Sequence, residues 1–214
     1  MPSLEQALEL VDIFTGMFYR MLPCFHQASL REAFANEEIQ VQAPVLAYAI
    51  FSMAAPYHAD PAIQCQTVSW YTNAKLSYDL TQYQGEPALR VLQAAVCIIF
   101  YAFTIMDSST TWLFLGKAWR QACATGLNRI DSDIGPLVGH MPRVTSPLVR
   151  EEQRRTMWML FILDRGCSCN VGYPHAIDER LFVVNLPSPD SMFHYNIPVR
   201  FLLPSNYRLF VSAP

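Results

Sequence analysis

Asp164 and Arg165 close the apolar run Trp158–Leu163, and they are where residue type and position first demand a chemical explanation. Charges entering a hydrophobic stretch need partners. They either pair with a neighbouring element or edge a polar cavity, and the architectural pairing is the stronger reading: Asp164 and Arg165 fix how one helix meets the segment after it. Replacing Asp164 by alanine then costs a few kcal/mol by orphaning its partner. Metal chemistry has less support. The only close thiol pair is Cys167-Ser168-Cys169, and on a helix residues two apart point about 200° away from each other, too far to grip one ion. His58 and Asp60 flank a turn with no third ligand near them in sequence. The five histidines (His26, His58, His140, His175, His194) stand singly beside prolines or loop residues, and there is no Gly-x-Ser-x-Gly elbow. Glycine-rich phosphate loops are absent as well. Asp131 and Asp133, two apart in a loop, suit turn capping better than acid–base work. The expectation is a chain with no catalytic residue, no metal site and no cofactor.

The 214 residues are 52% hydrophobic and 15% charged, enough apolar material for a packed core. One domain with a trailing segment is the economical organisation. Fifteen prolines against eight glycines fit helices stopped by proline better than a sheet turned by hairpins. The net charge of −3 offers no global attraction for a nucleic-acid backbone, and the densest basic stretch, Arg150–Arg155, sums to only +1. Lys75 and Lys117 are the only lysines; the other basic residues are arginine. Glu5 and Glu9 sit where a secretion signal would carry positive charge. The six cysteines therefore read as reduced core residues. The longest uncharged apolar run, Val91–Met106, is sixteen residues, short of the ~20 that span a bilayer. These features place the chain in the cytosol or nucleus.

The elements that must position Asp164 and Arg165 are helical. Ser3 and Gln6 have capping-box spacing, and Leu4, Leu8, Val11, Phe14, Phe18 and Met21 form one stripe ended by Pro23. A short helix starts at Ser29, with Leu30 and Phe34 pointing one way. Pro44 opens an apolar helix ended by Pro56. Asp60-Pro61 starts another that runs through Trp70, Ala74 and Tyr78 toward Gln82, before a break at Gly85. Glu86-Pro87 starts the helix expected to lie deepest, through Phe103. Asp107 caps a helix through Trp112, Trp119 and Cys123, with Gly126 left-handed at its end. A loop follows through Gly135, Pro136, Gly139 and Pro142. Ser146-Pro147 opens the last long helix, whose first half, with Glu151 and Arg155 four apart, reads as solvated. Trp158, Phe161, Ile162 and Cys169 then turn inward, and Gly172 and Pro174 end it. The fold class is all-α: an irregular bundle of six or seven helices with a proline-rich, partly irregular C-terminal tail.

The run from Arg150 through Trp158 to Asp164-Arg165, followed by Gly172, Pro174, Ile177, Asp178 and Leu186-Pro187, resembles the signature of the fungal-specific transcription factor domain. This is the middle homology region of fungal zinc-cluster regulators. Trp112, Gly116, Ala118 and Arg120, with Gly126-Leu127 and Arg129, look like that family's Trp-x-x-x-Gly-x-Ala-x-Arg helix and its Gly-Leu-His-Arg end. Leu10–His26 looks like its opening helix and Pro-x-x-His turn. Asn128 replaces the usual histidine, Met157 stands where many members have a tryptophan, and the Pro-x-Phe often following His26 is missing.

The resemblance implies a nuclear transcription-regulatory domain over residues 1–190, with an irregular tail at 191–214, and no catalytic role. It also implies partners: the rest of a regulator, a co-regulator or a small-molecule effector, with no membrane. Zinc and DNA contact are implied only for an N-terminal cluster of Cys-x2-Cys-x6-Cys spacing, which this sequence does not contain. The sequence is then expected to be a fragment, a truncated gene model or a cluster-less relative, with the cytoplasm open to a fragment. Two readings of other classes stand beside it. One is a helical small-molecule-binding protein or metabolic enzyme with an aromatic and methionine-lined pocket. The other is a scaffold acting by association alone.

Overall fold

Helix ends in this chain are set by local chemistry that the computed structural model, which describes residues 1–84, 88–132 and 146–195, makes explicit. Among the described residues all regular structure is helical. Helix α1 (Leu4–Phe18) starts with a complete capping box between Ser3 and Gln6. Helix α2 (Gln27–Ala35) begins two residues before Ser29, because the His26 imidazole, not the Ser29 hydroxyl, is its cap and accepts the Ser29 N–H. After the short α3 (Glu38–Gln42) comes α4 (Pro44–Ala54), with proline in its first turn. Asp60-Pro61 starts only α5 (Pro61–Gln64); the chain breaks there and restarts as α6 (Thr67–Gln84), so one expected helix is two. Then follow α7 (Ala88–Thr104), α8 (Ser108–Ala124) capped by Asp107, and α9 (Pro147–Val171) capped by Ser146. A last short helix, α10, spans Asp190–His194. The expected break at Gly85, the start at Glu86-Pro87, the residues Asp133, Gly135, Pro136, Gly139, His140 and Pro142, and the tail from 196 onward lie outside the described residues.

The seven described helices of nine or more residues make the bundle. Helix α4 is buried over almost its whole surface and packs on α1, α6 and α7. Helix α7 is buried nearly continuously from Leu89 to Ile99 and packs on α8 and α9, so the core runs along α4 and α7. The stripe of α1 is buried at Ala7, Leu10, Val11, Phe14 and Phe18, while Leu4 and Met21 at its ends are exposed. Cys24, Cys97 and Cys167 are buried free thiols, Cys123 is half-buried, and Cys65 and Cys169 are exposed, outside the core expected for them. No described helix is long and apolar enough to cross a membrane.

The C-terminal end of α9 leads to the site. Gly172, at φ +70°, closes α9 with its N–H on the Ser168 carbonyl. The chain then reverses, and residues 173–189 run back along α9 toward its start, with one turn of 3-10 helix at Glu179–Leu181, before α10. We call residues 173–194 the strap.

Candidate functional site

The first half of α9 is where the structure departs most from the sequence reading. Glu151, Glu152, Gln153, Arg154, Arg155 and Thr156 are all buried, whereas Ile162, expected inward, is 55% exposed and Cys169 is also exposed. The burial is tolerable because every charge is matched. Arg154 grips Asp131 through two parallel bonds, both 2.7 Å, and donates to Glu151 at 3.2 Å. Arg155 donates Nε to Glu151 (3.1 Å), Nη1 to the Pro23 carbonyl (3.2 Å) and to Asp190 (2.7 Å), and Nη2 to the Ser188 carbonyl (2.6 Å). Its guanidinium also lies 4.2 Å from the Phe193 ring centre. Glu152, 1% exposed, accepts the His26 N–H at 3.0 Å and Arg90 at 3.3 Å. Arg90 also donates to Gln93, whose amide donates to the Cys24 carbonyl. One helix face thereby ties together α7, the Pro23–His26 turn, the Asp131 loop and the strap.

The electrostatics follow from the geometry. Burial alone would raise the Asp131 carboxyl, but Arg154, the Asn185 N–H and the Arg150 charge outweigh it and hold that carboxyl below its ordinary value. Burial pushes the thiols the other way: Cys167 rises to about 11, and the fully buried Cys24 and Cys97 are likewise raised well above the ordinary thiol value, so they stay protonated.

The second half of α9 carries Asp164 and Arg165. Asp164 is 0% exposed and accepts the N–H groups of Ala176 (2.8 Å) and Ile177 (3.2 Å) together with Arg165 Nη1 (3.3 Å). His175 Nδ1 lies 3.8 Å from the same carboxylate. Arg165 also donates to the Ile177 carbonyl (3.1 Å) and pairs with Glu179 (3.0 Å). Between the two charged groups, Trp158 Nε1 donates to the Asn185 carbonyl at 2.8 Å, and its ring meets Phe161 and Phe182 edge-on. These are positioning contacts. Arg165 is engaged through Nη1 and Nη2, while its buried Nε has no bonded partner among the described residues.

The strap is held chiefly by its main chain. Trp112 of α8 packs at a tilt against Tyr173 and donates to the Pro174 carbonyl (3.2 Å). Asn128 donates its amide to the Leu181 carbonyl (2.8 Å) and accepts the Val183 N–H on its own carbonyl (2.7 Å). Asp131 accepts the Asn185 N–H (2.9 Å), and Glu151 accepts the Ser188 N–H (2.7 Å). At its end Phe193 is buried against His26, whose Nε2 lies 3.4 Å from the His194 carbonyl.

Of the residues singled out from sequence, Trp112, Trp158, Asp164, Arg165, Gly172, Pro174 and Ile177 lie along the strap's track. Asp178 caps the 3-10 turn inside it and also holds Arg180. Gly126, at φ +75°, turns the chain into the Leu127–Arg129 segment that presents Asn128; Arg129 has a buried Nε with no bonded partner among the described residues. Gly116 and Arg120 stand apart on α8, where a Cβ on Gly116 would lie 3.1 Å from the movable Arg120 Nη1. Sequence reasoning missed Glu151, Glu152, Arg154 and Arg155 as buried groups, and Arg90, Gln93, Asp131, Ser188 and Asp190 as their partners. Two signals pointed to them: the near-neutral sum over Arg150–Arg155, and the use of arginine, whose fork reaches several acceptors at once, at almost every basic position.

No group of three or more His, Cys, Asp or Glu side chains that could hold a metal occurs among the described residues. The six cysteines are dispersed free thiols and do not supply the donor set of a zinc cluster.

Comparison with known proteins agrees with the resemblance. The family described as "Fungal specific transcription factor domain" matches residues 11–212. Among curated proteins, the pigment biosynthesis transcriptional activator pigB of Monascus ruber is 30% identical over 159 residues, covering 72% of this chain and 28% of the relative. The citrinin biosynthesis transcriptional activator ctnR of Monascus purpureus is 25% identical over 195 residues, 89% of this chain and 33% of the relative. The Zn(2)-C6 fungal-type transcription factor FTF1c of Fusarium oxysporum f. sp. lycopersici is 24% identical over 210 residues, 92% of this chain and 22% of the relative. The chain thus spans between about a fifth and a third of the length of these relatives. No solved structure matches. A helical bundle whose α9 signature fastens the segment behind it, matched over nearly its whole length, belongs to the fungal specific transcription factor domain family.

Proposed function

We propose that this chain is the regulatory domain of a fungal transcription factor, working in the nucleus through contacts with other parts of the regulator, a co-regulator or a small effector. It has no catalytic task in this reading, and DNA contact belongs to a zinc cluster whose cysteine spacing the sequence lacks. The observation that carries the proposal is the family match over residues 11–212. The site supports it: the charged groups of α9 are spent on holding the strap, which is what a two-state packing element needs and a reaction centre does not. The pocketed-enzyme alternative has no comparable support.

A reporter assay tests the reading. The chain is placed between a heterologous DNA-binding module and an activating segment in a fungal host, beside the same fusion without it. Reporter output altered several-fold by the chain, and altered differently by Arg155→Lys, is the expected result. Output identical in all three fusions overturns it.

A further inference from the structure

We propose that the track on α9 now filled by residues 176–190 is a binding site for an extended, acidic segment of a partner protein, which enters by displacing the strap. The proposal deepens the regulatory reading by naming the ligand class. Its first support is how the strap is recognised. The body bonds main-chain groups at Ala176, Ile177, Leu181, Val183, Asn185 and Ser188, using Asp164, Arg165, Asn128, Asp131, Trp158, Glu151 and Arg155. Peptide groups are common to all sequences, so these hooks accept any segment of matching spacing.

The second support is charge. Arg155 and Arg165 stand at the two ends of the track, and each pairs with a strap acid that is itself largely exposed: Asp190 at 66% and Glu179 at 69% of the side chain. Arg155 is buried and Arg165 partly so, and each needs an acid that is interchangeable with one on another chain. The third support is shallow seating. Between its two buried anchors, Ile177 and Phe193, the strap sits shallowly: Phe182 and Val184 are only partly buried and Leu181 and Leu186 are about half exposed, so its middle leaves the track without disturbing the packing of α4 on α7.

The test uses the full chain and a fluorescein-labelled synthetic peptide with the sequence of residues 176–194, read by anisotropy. Asp190→Ala loosens the cis strap while the peptide keeps its own acid. Because apparent affinity scales with the open fraction, the peptide should bind the variant about tenfold or more tightly than the parent. N-methylation at Val183, Asn185 and Ser188 of the peptide, or neutralising its acids by Glu179→Gln and Asp190→Asn, should each weaken binding about tenfold. Phe193→Ala, which withdraws the strap's terminal ring from Arg155, is the second loosened variant, and matching far-ultraviolet circular dichroism establishes that both retain the bundle. Equal affinity for parent and loosened chains, or binding unaffected by N-methylation, overturns the proposal. So does a strap-exchanged dimer in light scattering, which assigns the track to a second copy. None of these readouts involves transcription, so their failure is separate from failure of the reporter assay.

Discussion

Asp164→Ala isolates the anchor that joins α9 to the strap. The carboxylate is fully buried and accepts two main-chain N–H groups and one guanidinium. Truncation leaves the Ile177 N–H buried without an acceptor, at a cost of ~1–3 kcal/mol, and the half-buried Ala176 N–H at the low end of that range. Arg165 adds little, because its side chain is 24% exposed and it keeps Glu179 and the Ile177 carbonyl. The total is about 3 kcal/mol, and at roughly 2–4 °C per kcal/mol for a chain of this size it lowers Tm by about 6–12 °C. Asp164→Asn keeps one acceptor oxygen but turns an NH2 toward the second N–H, so about 2 kcal/mol is expected. Urea unfolding followed by circular dichroism and tryptophan fluorescence measures both. A smaller m value for the alanine variant would accompany a strap already detached before global unfolding. A loss under about 1 kcal/mol, or an asparagine variant as stable as the parent, refutes the assignment of this carboxylate as the anchor.

Three further outcomes are expected. Arg155→Lys keeps the charge but loses the fork that reaches Glu151, Pro23, Ser188 and Asp190 together, so urea unfolding should show a loss of about 2–4 kcal/mol. The Asp131 carboxyl is depressed in the folded state, so its contribution is present above the ordinary carboxylate value near ~3.9 and is lost as pH falls through the lower folded value. Asp131→Asn should accordingly lower Tm at neutral pH and flatten its decline below about pH 4. Met106 holds φ +61° at the turn ending α7 while its side chain is 82% exposed, so Met106→Gly should raise stability by about 1 kcal/mol in the same urea assay, and a decrease would show the side chain is needed.

Much of the bundle was legible because its signals are local. Ser3-Gln6, Asp60-Pro61, Asp107 and Ser146-Pro147 cap helices through atoms within three residues, and Gly126 and Gly172 turn left-handed where helices end. The role of His26 was hidden because an imidazole caps α2 where a serine three residues later offered the commoner chemistry. The charged half of α9 was hidden for a different reason. Glu151 and Arg155 at four-residue spacing look the same on a solvated face as in a buried network, and what covers them comes from Pro23–His26 and Ser188–Asp190, far away in the chain. By the same local logic Ile162 faces inward, yet it points to solvent because the strap crosses α9 on another side. The candidate site was thus half visible: Asp164-Arg165 by its intrusion into an apolar run, the rest only through tertiary covering.

The most direct test is native-state hydrogen exchange on the amides of Ile177, Val183, Asn185 and Ser188. If α9 fastens the strap as one unit, these four are protected, share one opening free energy below that of Val96–Ile99 in α7, and lose protection together in Arg155→Lys. Exchange at the rate of unstructured peptide in the parent chain, or four unrelated opening energies, contradicts the account.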